Sequence, residues 1–356
     1  MKDRKKFLKT FLIYIISIFL AFVVISIIAF LFRYNVTRVL RTLLTTSFRS
    51  WFGFQETIKK TIPLIFTSYA FTIPFMIKFF NIGAFGQMLF GGTVACLVGL
   101  TLSNFGVSLP SFIMIPLLII TGILAGGFFA LIAGYLTAKF DINPIISTIM
   151  LNFVAMQFLN FIATNPFYRD PYEGHPITLP LPKTGTLGFF NGIPYSIIFA
   201  ILAIIFVYIL ILKTRLGYEI KAIGYNLDAA QTFGINFHKT ILITFFIAGS
   251  LAGLGGTLEV INIHKKLIEG FAQTSGAQYG IFGILTSLIV SGNPIGVPIA
   301  AFLMSVLLVG ADALQRTMQI PVEMVFVAQS LIVLFVVVFR EAFERRKWCF
   351  HILTHL

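Results

Sequence analysis

Residues 213–239 read KTRLGYEIKAIGYNLDAAQTFGINFHK, a polar, basic island between strongly apolar runs. Inside the island lies a short helix signal. Asn226 suits an N-cap, and Asp228 puts a carboxylate near the positive end of the helix dipole. Ala229 and Ala230 propagate the helix, and Gly234 suits its stop. Leu227, Ala230 and Gly234 recur at i, i+3 and i+7 and predict an apolar face. Roughly two turns of helix are not stable alone in water. This one therefore needs a surface to lie against. The runs that flank it, 194–212 and 240–261, approach the ~20 residues that cross a bilayer.

The same character extends along the chain. Its 356 residues are 58% hydrophobic and 11% charged, with a mean hydropathy of +0.94. A soluble protein carries about 25% charge. The apolar runs lack period-2 alternation, so they predict membrane-spanning helices rather than barrel strands. The formal net charge of +13 reads as topology-setting Lys and Arg with attraction to anionic lipid, and nucleic acid is not an expected partner. Cys96 and Cys349 have no partner spacing for a disulfide framework or a zinc site. His351 and His355 sit four apart without a third ligand, so neither metal nor cofactor is expected.

Ten spans are expected: 11–32, 62–80, 87–105, 112–136, 144–164, 194–212, 240–261, 280–298, 299–314 and 323–340. Asn293-Pro294 and Gly296 break the region 280–314, where two short spans fit better than one. The fold expected is an all-α polytopic membrane protein with some discontinuous helices. Residues 1–10 form an N-terminal tail leading into an uncleaved anchor helix. A single membrane domain covers 11–340, and 341–356 form a C-terminal tail. Lys and Arg in both tails predict cytoplasmic termini. The island 213–239 then lies on the cytoplasmic side and the loop 165–193 outside. Residues 33–60, with Arg33, Arg38, Arg41 and Arg49 among Leu, Phe and Trp, predict an amphipathic segment lying on the membrane surface.

No span as drawn has an acid or base near its middle, where proton-coupled transporters keep them. No Gly-Lys pair exists anywhere, which excludes a Walker-type ATP site. A membrane pathway without its own energy source implies either a passive channel or a subunit driven by another protein.

Four stretches resemble the permease subunits of bacterial ATP-binding-cassette (ABC) importers of the ribose and nucleoside branch. They are Asn81-Ile82-Gly83-Ala84-Phe85-Gly86-Gln87; Ile146-Ser147-Thr148-Ile149-Met150-Leu151-Asn152; Gly217-Tyr218 through Ala229-Ala230 to Gly234-Ile235; and Ala248-Gly249 through Gly253 to Gly256, followed by Glu259. The likeness covers about 60 to 340. Phe85 stands where the family has Glu, and Asn143-Pro144 where it often has Asn-Glu.

The resemblance implies a type II importer permease fold and no covalent chemistry in this chain. It implies a separate ATP-binding subunit, a second permease subunit, identical or not, and an extracytoplasmic solute-binding protein or lipoprotein. Asn226, Leu227, Asp228, Ala229, Ala230, Gly234 and Ile235 become the expected coupling residues, seated on the ATPase. Asn81, Gly83, Gly86, Gln87 and Asn152 become candidates for the translocation pathway, beside a discontinuous helix. Gly249, Gly253 and Gly256 form a small-residue face for helix packing. The implied solute is a nucleoside, with a simple sugar such as ribose or galactose second, crossing the bacterial inner membrane. The rival readings are an ion-coupled secondary transporter and a passive channel.

Overall fold

The computed structural model describes residues 29–268 and 277–320, with isolated positions in 20–27 and 326–338. The expected tails 1–10 and 341–356, most of the spans 11–32 and 323–340, and Cys349, His351 and His355 lie outside the described residues. The described chain is mostly helical. In order come α1 (Val36–Arg49), α2 (Trp51–Phe75), α3 (Ala84–Asn104), α4 (Ser111–Phe140), α5 (Pro144–Thr164) and α6 (Ser196–Lys213). After these come α7 (Arg215–Tyr225), α8 (Leu227–Thr232), α9 (Phe237–Leu258), α10 (Ala277–Ile289) and α11 (Val297–Met318). A π-helical turn, Glu259–His264, continues α9.

Short polar signals set the boundaries. Asn143 caps α5, its Oδ1 accepting from the Ile145 N–H at 2.9 Å, and Pro144 occupies the first helical position. Proline is at home there because its missing N–H has no intrahelical partner anyway. Asp141, in the left-handed region at φ 55°, ends α4.

Six described helices are long and apolar enough to cross a membrane: α3, α4, α5, α6, α9 with its π turn, and α11. The chain is thus a multi-pass membrane protein. The expected span 62–80 falls mainly on α2, which carries Glu56, Lys59 and Lys60 in its first half and is the more polar for it. The region 280–314 holds two helices, and the break between them, 290–296, contains Asn293, Pro294 and Gly296 as expected, although it ends before the span boundary at 298. Helix α10 stops at Ile289, Ser291 and Gly292 adopt positive φ of 58° and 69°, and α11 begins at Val297. The 13 residues of α10 rise about 20 Å, short of a ~30 Å hydrocarbon core.

By packing, the chain divides into one unit within 1–57 and 302–356 and a larger one of 58–301. In the first, α1 buries Val39, Leu43 and Ser47. Leu43 lies so close to α11 that a Cβ on Gly310 would stand 2.7 Å from its Cα. Ala311, Leu314 and Ile320 complete that cluster. The amphipathic segment expected over 33–60 is therefore split. Ser50 is extended, and its hydroxyl accepts from the Gly53 N–H at 3.0 Å, so a new helix starts there. Residues 51–60 belong to the continuous α2.

In the larger unit α3, α4 and α9 form the centre, with α5 against α3 and α4. Small residues let the backbones meet. A Cβ on Gly253 would strike the Gly122 carbonyl oxygen and come within 3.0 Å of the Gly126 Cα. One on Gly249 would strike the Gly126 oxygen, and one on Gly256 the Met88 oxygen. Gly91 and Gly92 face Gly253 and Gly256 in return. In lipid, where burying apolar surface gives no gain, such close van der Waals contact drives helix association.

The loop 165–195 leads into α6 and the stretch 213–239 leaves it, so the two adjoin opposite ends of that helix. The loop is ordered. Its hairpin pairs Phe189 with Pro194 and Phe190 with Ile193. Asn191 and Gly192 turn it at φ 47° and 81°, both positive as a type I′ turn requires. Leu187, Leu181 and Thr178 N–H groups donate to the carbonyls of Ile261, Lys265 and Leu267 at 2.8–2.9 Å.

Candidate functional site

Two groups of residues carry the functional question, one where α2, α3 and α5 meet and one in 213–239. The first gathers all five pathway candidates. After α2 the chain folds back, and Asn81, fully buried, donates from Nδ2 to the Ala70 carbonyl at 3.0 Å. The Asn81 and Gln87 amides pair reciprocally, Nδ2 to Oε1 at 3.0 Å and Nε2 to Oδ1 at 2.9 Å. Asn81 Oδ1 also accepts from the Gly83 N–H at 3.2 Å. Asn152 reaches in from α5, its Oδ1 accepting from the Gly86 N–H at 2.8 Å and its Nδ2 donating to the Ile82 carbonyl at 3.1 Å. Gly83 supplies no side-chain cap, so Asn152 caps α3 from another helix.

The glycines admit these amides. A Cβ on Gly86 would stand 2.6 Å from Asn152 Oδ1, and one on Gly83 2.9 Å from the Thr148 Cβ. Asn81 spends both donors and both lone pairs on the protein itself. In this conformation backbone groups at the α2–α3 turn are met by the chain's own amides, which fasten α2, α3 and α5 together. Helix α3 itself is continuous from Ala84 to Asn104, so the discontinuous helix expected beside these residues is not found here.

The second group is built by three successive caps. Thr214 Oγ1 accepts from the Gly217 N–H at 3.2 Å and starts α7. Asn226 Oδ1 accepts from Ala229 N–H at 3.1 Å and starts α8, with Asp228 in its first turn. Asn236 Oδ1 accepts from Lys239 N–H at 3.0 Å and starts α9. Gly234 ends α8 at φ +79°, and the Ile235 N–H returns to the Ala230 carbonyl at 3.1 Å.

The face expected from Leu227, Ala230 and Gly234 is not one outward stripe. Ala230 is only 4% exposed and packs into the chain. The outward side of the stretch instead carries Tyr225, 86% exposed, and Phe233, 84% exposed, with Tyr218, Leu227, Asp228 and Ala229 also exposed. The helix α7 is masked in the sequence by the charges of Lys213, Arg215 and Lys221. Its signal lay in Ile220 and Ile223, three apart and both buried, with Gly224 close enough to Met76 that a Cβ would strike its carbonyl oxygen. Glu219 ties α7 to its surroundings, 2.9 Å from Arg215 Nε and 3.3 Å from the Thr240 hydroxyl.

Other polar residues join elements that no motif connects. Thr67 donates to the Tyr279 carbonyl at 2.9 Å, the Thr72 and Ser287 hydroxyls meet at 2.7 Å, and Tyr69 donates to the Pro294 carbonyl at 3.2 Å. These bonds hold the half-length α10 against α2. The signal was four hydroxyls within 67–72 of an apolar run. Asn262, fully buried, accepts from the Ser196 N–H at 3.0 Å and donates to the Gly188 carbonyl at 3.1 Å, pinning the loop to α6. Glu259, buried at the head of the π turn, lies 3.3 Å from His264 Nε2.

Glycine-packed helices long and apolar enough to cross a membrane define a polytopic membrane protein. Residues 53–339 match the family described as the branched-chain amino acid transport system, permease component, and the chain belongs to that family of ABC-transporter permeases. It is 30% identical to the nucleoside ABC transporter permease protein NupB of Lactococcus lactis, over 92% of this chain and 90% of the relative. It is 32% identical to the guanosine ABC transporter permease protein NupP of Bacillus subtilis, over 79% and 80%. It is 30% identical to a glucose ABC transporter permease of Haloferax volcanii, over 84% and 79%. No solved structure matches the chain.

Proposed function

We propose that this permease carries a nucleoside inward across the cell membrane, with a simple sugar as the second choice. The observation that carries the solute is likeness to a nucleoside permease along nine-tenths of both chains. Likeness to a glucose permease keeps the sugar reading in place. A separate ATP-binding subunit docks on 213–239 and supplies the energy. Its seat is the outward surface around α8, where Tyr225, Leu227, Ala229 and Phe233 stand exposed beside the capped N-terminus. Exposed aromatic side chains in such a position suit a partner's groove. Asn226, Asp228, Gly234 and Ile235 shape the helix that presents them, and Ala230 anchors it from beneath.

On this reading the stretch 213–239 and both termini are cytoplasmic. The ordered loop 165–195 faces outward and meets a solute-binding protein. A second permease subunit completes the pathway. Asn81, Gly83, Gly86, Gln87 and Asn152 lie along its wall as the fastening of the turn that leads from α2 into α3; in the state described their hydrogen bonds are spent internally. Competition tests the solute. Uptake of labelled guanosine by cells expressing the complete transporter should fall with excess unlabelled nucleosides and not with glucose or ribose. No uptake of guanosine, with labelled ribose or glucose taken up instead, would give the second choice.

A further inference from the structure

The transport reading leaves the outward face of α1 unused. Once Val39, Leu43 and Ser47 are buried, the rest of the helix surface divides lengthwise. One flank is apolar, with Leu44 and Phe48 at 45% and 62% exposure, and Trp51 and Phe52 continue it into α2. The other is basic. Arg38, Arg41, Thr45 and Arg49 recur at i, i+3, i+7 and i+11, a single row along a helix. A groove of about 280 Å³ opens where the flanks meet, lined by Arg41, Leu44, Thr45, Phe48 and Arg49. Residues 33–55 contain no carboxylate. Among the described residues, no ion pair engages Arg38, Arg41 or Arg49.

Guanidinium groups left together without a counter-charge repel one another, and their planar forks match phosphate oxygens. A helix with a basic row beside an apolar flank fits the boundary between headgroups and acyl chains. We propose that the α1 groove binds an anionic phospholipid, Arg41 and Arg49 holding the phosphate while Leu44 and Phe48 lie along the acyl chain. Both linings argue for this occupant. Free phosphate would use the arginines and leave the apolar flank bare, whereas a lipid uses both.

The test is lipid retention by the purified full-length chain. After exchange into detergent containing equal phosphatidylglycerol and phosphatidylcholine, mass spectrometry should find phosphatidylglycerol enriched on the wild type. Arg41→Gln with Arg49→Gln should lower that enrichment roughly tenfold or more, each basic residue near a lipid surface contributing about a fivefold effect. Lys139→Gln with Lys183→Gln, which removes the same charge elsewhere, should leave it unchanged. Equal retention of both lipids, or enrichment that survives the arginine changes, overturns the proposal. So does a double variant that keeps its lipid but loses capture of an acidic solute-binding protein, which would make the face a protein dock. If the double variant does not fold, a photo-reactive phosphatidylglycerol on the wild type should crosslink within 38–49 and a phosphatidylcholine analogue should not. Crosslinking elsewhere, or by both, has the same overturning force.

Discussion

Single atoms decide most of what the bundle tolerates. A methyl group on Gly253 would occupy the space of the Gly122 carbonyl and crowd the Gly126 Cα. Neither backbone can swing away as a side chain tip could. Gly253→Ala should therefore separate α4 from α9 and destabilise the protein by about 1–3 kcal/mol, the usual cost of overpacking. A lowered melting temperature in detergent checks this, whereas an unchanged one would remove the close approach from the account. The amides of Asn81 and Gln87 make a second case. Each satisfies the other at 2.9–3.0 Å, so the losses from Asn81→Ala and Gln87→Ala should not add. A double-mutant cycle on thermal stability should give a coupling of about 0.6–2 kcal/mol, the range of measured polar contacts between membrane helices. Additive losses would mean that the pair is not coupled. Of these residues, Gly249, Gly253 and Gly256 announced themselves by spacing. Their partners Gly91, Gly92, Gly122 and Gly126 carry the same small-residue signal. What spacing cannot tell is which two stripes face each other, because that is set by how the helices cross.

At the scale of elements, α8 is the clearest prediction from the chain. Its cap, its acidic first turn and its glycine stop all stand where the residues put them. Its orientation was not legible. In a two-turn helix Leu227, Ala230 and Gly234 look like an outward stripe, and only the packing beneath reveals that Ala230 turns inward. Charge at Ala230 would thus test folding rather than docking. Phe233→Ala is the better probe, because a side chain 84% exposed supports little of the fold. It should leave expression and melting unchanged and weaken association with the ATP-binding subunit by about tenfold or more, as for an aromatic hot spot. A pull-down or titration with the purified subunit reads this, and unchanged affinity would remove Phe233 from the docking face. Asn226→Ala acts one step earlier. It should cost about 1 kcal/mol of helix stability and appear as faster amide exchange across 227–232. Unchanged exchange there would contradict the capping role. The helix α1 shows the opposite balance. Its amphipathic pattern was plain, yet its end at Arg49 was not, because a serine between two apolar stretches is a weak sign of a break.

For the whole molecule, composition alone placed the chain in the membrane, and the family followed from motifs spread over its length. The number of crossings was harder. Helix α2 carries three charges in its first half, and α10 is too short to cross alone, so hydropathy misjudges both. Their fastening through Thr67, Thr72 and Ser287 joins residues more than 200 apart in sequence, and no local pattern reports such a pairing. On the proposed function, the energy for transport comes from outside this chain, through 213–239. Uptake of labelled nucleoside into proteoliposomes measures it directly. With the chain, its permease partner and the ATP-binding subunit reconstituted together, uptake should require ATP on the side of 213–239 and stop when the ATP-binding subunit is left out. Uptake that continues on a proton or sodium gradient without ATP would contradict the account.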